Sequence, residues 1–374
     1  MKFIYPDYSN SNIGIPNSFL NYFCGKKFYN TNKLLDDKLK KNYKNIVYII
    51  LDGMGKNVLE KHFEEDSFFR TNLSSYITTV YPSSTVPATT ALHSGLAPYN
   101  TSWIGWHQYF KDINQSVEMF LNNTYLTNEK HNVLDYVSYE DIYSQMVSSN
   151  NKINFFRMYP KCAGGEYENL SDMFSFIENN QSSAEEINFF SVYSNEPDGL
   201  LHNYGINSSE VNLILEDISI KISKLSKKLN DTLIVITADH GLIDTNICDI
   251  SGDKELTDCF SYIPTGEFRC PIFHIKRGME KTFENIFNDR FHNSYVLYTK
   301  EKFITSGLLG NGNKHILLDD FLGDYVATAI SDVSITYNVD NKVFDSLKAD
   351  HGGLTEEEMI VPMILIDCNE KTNF

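Results

Sequence analysis

The 374-residue sequence predicts an α/β protein: a doubly wound, mostly parallel sheet with helices on both faces and an inserted cap. Three observations predict it. NIVYIIL at residues 45–51 is a near-continuous apolar run suited to a strand buried on both faces. INFFSVY at 187–193 leads through a helical pattern to TLIVIT at 232–237, a strand–helix–strand unit whose crossover should be right-handed. Two long segments then break this alternation, and these supply the cap.

The helix of that unit is read from Val211, Ile214, Leu215, Ile218, Ile222, Leu225 and Leu229, which fall on one stripe. Asn207, with Glu210 three residues on, is its expected capped start. Earlier in the chain, TTVY at 78–81 reads as a strand ended by Pro82, and Pro87 suits the first turn of the helix that follows. MIVPMILI at 359–366 is the last apolar strand. Residues 96 to about 186 are rich in Trp, Tyr, Phe and Asn with weak periodicity, while 245 to about 345 hold short strand-like pieces such as CPIFHI and DYVATAI. Both are read as insertions beside the active-site edge of one catalytic domain spanning 1–374, since heptads and low-complexity tracts are absent.

Composition narrows the classes. Apolar content of 42% and charged content of 22% suit a globular protein, and no stretch approaches the roughly 18 apolar residues of a membrane helix. The N-terminal MKFIYPDYSNSNIGIPNSF lacks the basic-then-apolar pattern of a secretory signal, so a cytoplasmic location is expected. Cys24, Cys162, Cys248, Cys259, Cys270 and Cys368 form no C-x-x-C pair and read as free thiols. A net charge of −17 argues against nucleic-acid polymers and anionic membranes as partners. An acidic protein still binds phosphate if bound cations reverse the local field.

Ligands of open parallel sheets bind beyond the carboxyl ends of the strands. Asp52 follows the first strand in ILDGMG, Asp198 and His202 follow INFFSVY, and Asp239 with His240 follows TLIVIT in ADHG. The four-residue spacing of Asp198 and His202 puts both on one face of a helical turn. A second turn, ADHGG, supplies His351 before the last strand. Thr85, in VYPSSTVPATT, falls near a helix N-terminus, where backbone N–H groups favour an anion. Its hydroxyl needs a metal or a base before it becomes a nucleophile.

In this order, Asp52, YPSST with Thr85, Asp198-x-x-x-His202, Asp239-His240 and His351-Gly-Gly, the residues resemble the metal-and-nucleophile signature of the alkaline phosphatase superfamily. The resemblance is closest to its type I phosphodiesterase/nucleotide pyrophosphatase branch. It implies an alkaline-phosphatase-like fold and two divalent metal ions. Asp198, His202 and His351 would hold one ion, and Asp52, Asp239 and His240 the other, with Thr85 bridging toward it. The mixed His and Asp set suits Zn2+ first, and Mn2+ would tolerate the same oxygens. The implied reaction is in-line attack by Thr85 on phosphorus, with hydrolysis of the resulting phosphothreonine.

The implied substrate is a small phosphate-containing molecule such as a nucleotide, cleaved at a phosphodiester or pyrophosphate bond. The alternatives are a phosphonate (phosphonoacetate-type) hydrolase or a phosphomonoesterase on the same metals, or an inactive binding protein of this fold. Nucleotide-cleaving members resemble PNH after the nucleophile, with an asparagine that binds a phosphoryl oxygen, whereas this chain has Pro87, Ala88 and Thr89. That contact must come from elsewhere, for which the N–H after Thr85 is a candidate. The sulfatase pattern C/S-x-P-x-R is broken by Thr85 and Thr89, and the Asp-Ser-Ala of alkaline phosphatases proper is absent.

Alone, ADHG is an ordinary turn and SSTVPATT an ordinary helix start. Five elements in order outweigh those readings. His62, His93, His107, His131, His274, His292 and His315 have no such company and default to surface or core roles. Trp103, Trp106, Tyr109 and Phe110 are expected to pack under the cap, and Asp350 to neighbour the site without joining it.

Overall fold

A computed structural model of the chain describes residues 2–149, 152–182, 185–339, 342–344 and 346–369. Residues 150–151, 183–184, 340–341 and 345, within or at the end of the expected insertions, lie outside the described residues. The central sheet has six strands: β1 (Asn45–Leu51), β2 (Leu73–Thr78), β3 (Ile153–Met158), β4 (Ile187–Ser194), β5 (Thr232–Thr237) and β6 (Ile360–Asp367), in spatial order β2-β6-β5-β1-β4-β3. The pairs β1–β4, β1–β5 and β3–β4 are parallel, and only β6 runs against its neighbours. Helices cover both faces of this sheet, as the sequence predicts.

Every residue of β1 is buried, which the apolar run dictates. The long helix Ser209–Lys228 buries Val211, Leu215, Ile218, Ile222 and Leu225, most of the expected stripe. Its cap differs by one residue: Ser208 accepts from the Val211 N–H at 3.2 Å, because the Asn207 amide turns to Asp244 instead. The strand expected through Tyr81 stops at Thr78. Beyond it the Thr79 N–H leaves the ladder for the Met359 carbonyl at 2.8 Å, and Pro82 has no N–H to offer.

The two inserted segments meet in a second, antiparallel sheet of seven strands. His107–Phe110, Gln115–Glu118 and Asn123–Thr124 come from the first segment; Phe260–Glu267, Cys270–Ile275, Tyr295–Thr299 and Tyr325–Ala329 come from the second. The join is at Gly266, which pairs with His107. The first segment is not all cap, however. Ile153–Met158 forms β3 of the central sheet, a strand whose INFFRM pattern alternates too weakly to be read as one from sequence.

Among the described residues no helix is long and apolar enough to cross a membrane. All six cysteines are free, and Cys259 and Cys270 are buried.

Candidate metal centre

The carboxyl ends of β1, β4 and β5 lie side by side, and backbone bonds fix the residues that follow them. The Asp52 N–H donates to the Ser194 carbonyl at 3.0 Å, and the Asp198 N–H to the Asp52 carbonyl at 3.1 Å. Asp198 opens the helix Asp198–Tyr204, so His202 stands one turn on and on the same face. His351 arrives because Ala349–Asp350 pairs with Ile243–Asp244, just beyond β5. Two clusters result, Asp198 with His202 and His351, and Asp52 with Asp239 and His240; within each, the candidate ligand atoms lie within 4.8 Å of one another. Thr85 Oγ1 lies 3.1 Å from His240 Nε2. All seven residues singled out in the sequence therefore meet at one edge of the sheet.

Their hydrogen bonds leave several buried atoms unpaired. Asp239 Oδ1 accepts from the N–H groups of Gly53 at 3.1 Å and His240 at 2.9 Å, and Asp52 Oδ2 accepts from the Tyr193 hydroxyl. Asp52 Oδ1, Asp239 Oδ2, Asp198 Oδ1 and His351 Nδ1 are buried without a hydrogen-bond partner among the described residues. The His202 and His240 rings turn Nδ1 to backbone carbonyls, Ala349 at 2.8 Å and Gly241 at 3.1 Å. Each Nε2 then faces a carboxylate, His202 at 3.4 Å from Asp198 Oδ1 and His240 at 3.3 Å from Asp52 Oδ1. Buried unpaired acceptors are costly unless a cation satisfies them, and carbonyl-anchored imidazoles are the usual support of metal ligands. The donor set fits two divalent ions. At Gly241 only glycine lets the turn pass, since an added Cβ would lie 2.1 Å from the Glu357 carbonyl oxygen.

Burial and crowding of like charge also perturb these groups. Burial, then Asp198, raises Asp52; burial, then Asp52, pushes Asp239 up to about 7. Burial alone would depress His240, but Asp239 and Asp52 overcome it and hold the imidazole at about 10. Raised values mean that the metal-free fold binds protons more tightly than the unfolded chain. Stability from Asp239 is then complete below 3.8 and lost as pH climbs to about 7. That from His240 is complete below 6.5 and lost toward about 10. Chelator-treated protein should accordingly melt at a lower temperature at pH 8.5 than at pH 6, with the gap narrowing once metal is restored. A metal-free melting temperature that climbs over the same interval, in a fluorescence melt, would contradict this.

Thr85 is the first residue of the helix Thr85–Ser94, and Pro87 lies in its first turn. Ser84 holds the N-cap position but does not cap, because its hydroxyl donates to Glu267. Among the described residues the Thr85 and Val86 N–H groups have no protein acceptor. They are the helix-terminal donors that an anion would satisfy.

Several site residues had no signal in the sequence. Glu267, from a cap strand, accepts from Ser84 Oγ and from the Trp106 N–H at 2.7 Å, and burial pushes its carboxyl up to about 7. Arg269, two residues on, is fully buried against Glu358. Tyr193 could have been found, since it is the penultimate residue of β4 and so lies at the carboxyl edge. Two cavities, of about 630 and 620 Å3, adjoin at Thr85, Trp106 and Asp198. Trp103 and Phe110 are buried and Tyr109 is half-buried against Tyr262 and His274, whereas Trp106 lines both cavities. His93, bonded to the Tyr159 hydroxyl at 3.0 Å, and His107, 3.8 Å from Glu118, line one cavity each.

No curated protein matches the chain in sequence. Among solved structures it is similar to an inactive form of murine ectonucleotide pyrophosphatase/phosphodiesterase 5 in complex with AMP, with a TM-score of 0.65 and 17% identity over 86% of this chain and 87% of that one. The human protein of the same name gives a TM-score of 0.63 and 15% identity over 86% and 87% of the two chains. Such identities carry the fold alone. A family profile, type I phosphodiesterase/nucleotide pyrophosphatase, matches residues 46–354, which span all seven residues of the site. The chain therefore belongs to the type I phosphodiesterase/nucleotide pyrophosphatase family of the alkaline phosphatase superfamily, and it is a phosphoric ester hydrolase.

Proposed function

We propose that the chain cleaves a phosphodiester or nucleotide pyrophosphate bond through a phosphothreonine on Thr85, as a single catalytic domain over 1–374 with a two-part cap. The observation that carries this reading is the contact of Thr85 Oγ1 with His240 Nε2, 3.1 Å away, at the uncapped start of a helix and beside both ligand clusters. Asp198, His202 and His351 would hold one ion, and Asp52, Asp239, His240 and Thr85 the other. We take zinc as the resident metal, because each cluster mixes imidazole nitrogen with carboxylate oxygen, and manganese as the substitute. When bound, such ions supply Lewis acidity that lowers the pKa of a hydroxyl and offsets charge on phosphorus-bound oxygens.

The protein's own groups orient the reaction. Helix geometry fixes the Thr85 hydroxyl where the dipole favours an anion, and the Val86 N–H takes the phosphoryl-oxygen contact that the family asparagine would make. The two adjoining cavities leave room for a substituent on each side of phosphorus, which a diester has and a monoester lacks. AMP bound to a structural neighbour favours a nucleotide as the substrate. Six unpaired thiols favour a reducing, cytoplasmic setting.

The test compares bis-p-nitrophenyl phosphate, p-nitrophenyl phosphate and phosphonoacetate, with and without chelator. Preference for the diester, lost on chelation and restored by zinc, is expected. Preference for the monoester or for the phosphonate would overturn the reading.

A further inference from the structure

We propose that Glu267 is the specificity-determining residue by which this site tells a singly charged phosphodiester from a doubly charged phosphomonoester. The proposal rests on the diesterase reading above. Glu267 ends the cap strand Phe260–Glu267 and lines the 630 Å3 cavity that also contains Thr85, Asp198, His202 and His351. Oε1 takes both of its hydrogen bonds, from Ser84 Oγ and from the Trp106 N–H at 2.7 Å. Ser84 precedes the nucleophile, so this pair of bonds holds the carboxyl against the turn that presents Thr85. Oε2 has no protein donor among the described residues.

The backbone fits this placement closely. A Cβ on Gly352, the residue after His351, would lie 3.1 Å from Glu267 Cβ, and one on Gly105 would lie 2.9 Å from Gly266. Glu267 is thus wedged between the His351 loop and the Thr85 turn, with one oxygen left over on the cavity side.

A charge there decides between substrates. Two divalent ions, the carboxylates of Asp52, Asp198 and Asp239 and a threonine alkoxide sum to zero, so Asp350 and Glu267, which line the same cavity, make the pocket negative. A diester adds one charge and a monoester two. Among the described residues nothing on the cavity walls compensates for the second. Lys342 lies 3.4 Å from Glu118 and 3.8 Å above the Tyr125 ring, and Arg157 in the other cavity is ion-paired with Asp141.

The experiment uses metal-loaded, full-length protein at pH 8.5 with methyl p-nitrophenyl phosphate and p-nitrophenyl phosphate. These share a leaving group and differ by one methyl and one charge. Glu267→Gln keeps the acceptor for Ser84 and Trp106 but removes the charge. It should raise the monoester-to-diester ratio of kcat/KM by about tenfold or more, the effect of a unit charge a few ångströms away. Ser84→Ala removes one of the bonds and keeps the charge, so it should leave the ratio within about twofold.

An unchanged ratio in Glu267→Gln, a parallel loss on both substrates, or an equal shift in Ser84→Ala would each overturn the proposal. Failure of the diesterase reading is seen separately, as monoester preference in the unsubstituted protein.

Discussion

Thr85→Ala is expected to lower turnover of bis-p-nitrophenyl phosphate by roughly 10⁴- to 10⁶-fold, the cost of deleting the proposed nucleophile from a group that acts as a unit. Metal content should stay near that of the unsubstituted protein. The six other proposed ligands remain, and the buried oxygens of Asp52, Asp198 and Asp239 do not depend on the threonine. The hydroxyl itself is linked to the site by the His240 contact at 3.1 Å, so its removal leaves the Asp239 turn intact. Steady-state rates and elemental analysis check both halves. Activity within tenfold of the unsubstituted protein would mean that the nucleophile lies elsewhere.

Glu358→Ala should produce the largest loss of stability, about 3–5 kcal/mol, the cost of stranding a buried charge. Glu358 and Arg269 are both fully buried and bonded through Nε at 2.6 Å and Nη2 at 2.7 Å. The same carboxylate accepts from the Gly353 N–H at 2.7 Å and from the Thr355 hydroxyl at 2.6 Å. It therefore ties the cap to the loop that carries His351. Replacing both members, as Arg269→Met with Glu358→Leu, should recover only part of the loss, because the loop donors stay unsatisfied. Zinc affinity should fall in both variants. Urea denaturation and zinc titration test this; a single variant within about 1 kcal/mol of the unsubstituted protein would show that the pair contributes little.

Much of the architecture was legible because its cause is local. Apolar runs at 45–51 and 232–237 became strands at those same residues, since a strand buried on both faces has no polar position to disguise it. Boundaries set by competition were misread. Asn207 resembled a cap until Asp244, distant in sequence, took its amide. β3 was hidden for the same kind of reason: it is an edge strand with Arg157 and two half-exposed phenylalanines, and only pairing with β4 marks it as part of the sheet.

The sequence by itself determined which acidic, imidazole and hydroxyl groups meet at one edge of the sheet, because each lies just past a strand or at a helix start. Tertiary structure alone decided how the site is closed and tuned. Glu267, Arg269 and Trp106 come from insertions with no periodic signal, and they reach the centre through the Gly266–His107 join and the buried Glu358 pair. Such contacts depend on which surfaces are pressed together in the fold, and nothing in the spacing of residues along the chain encodes that.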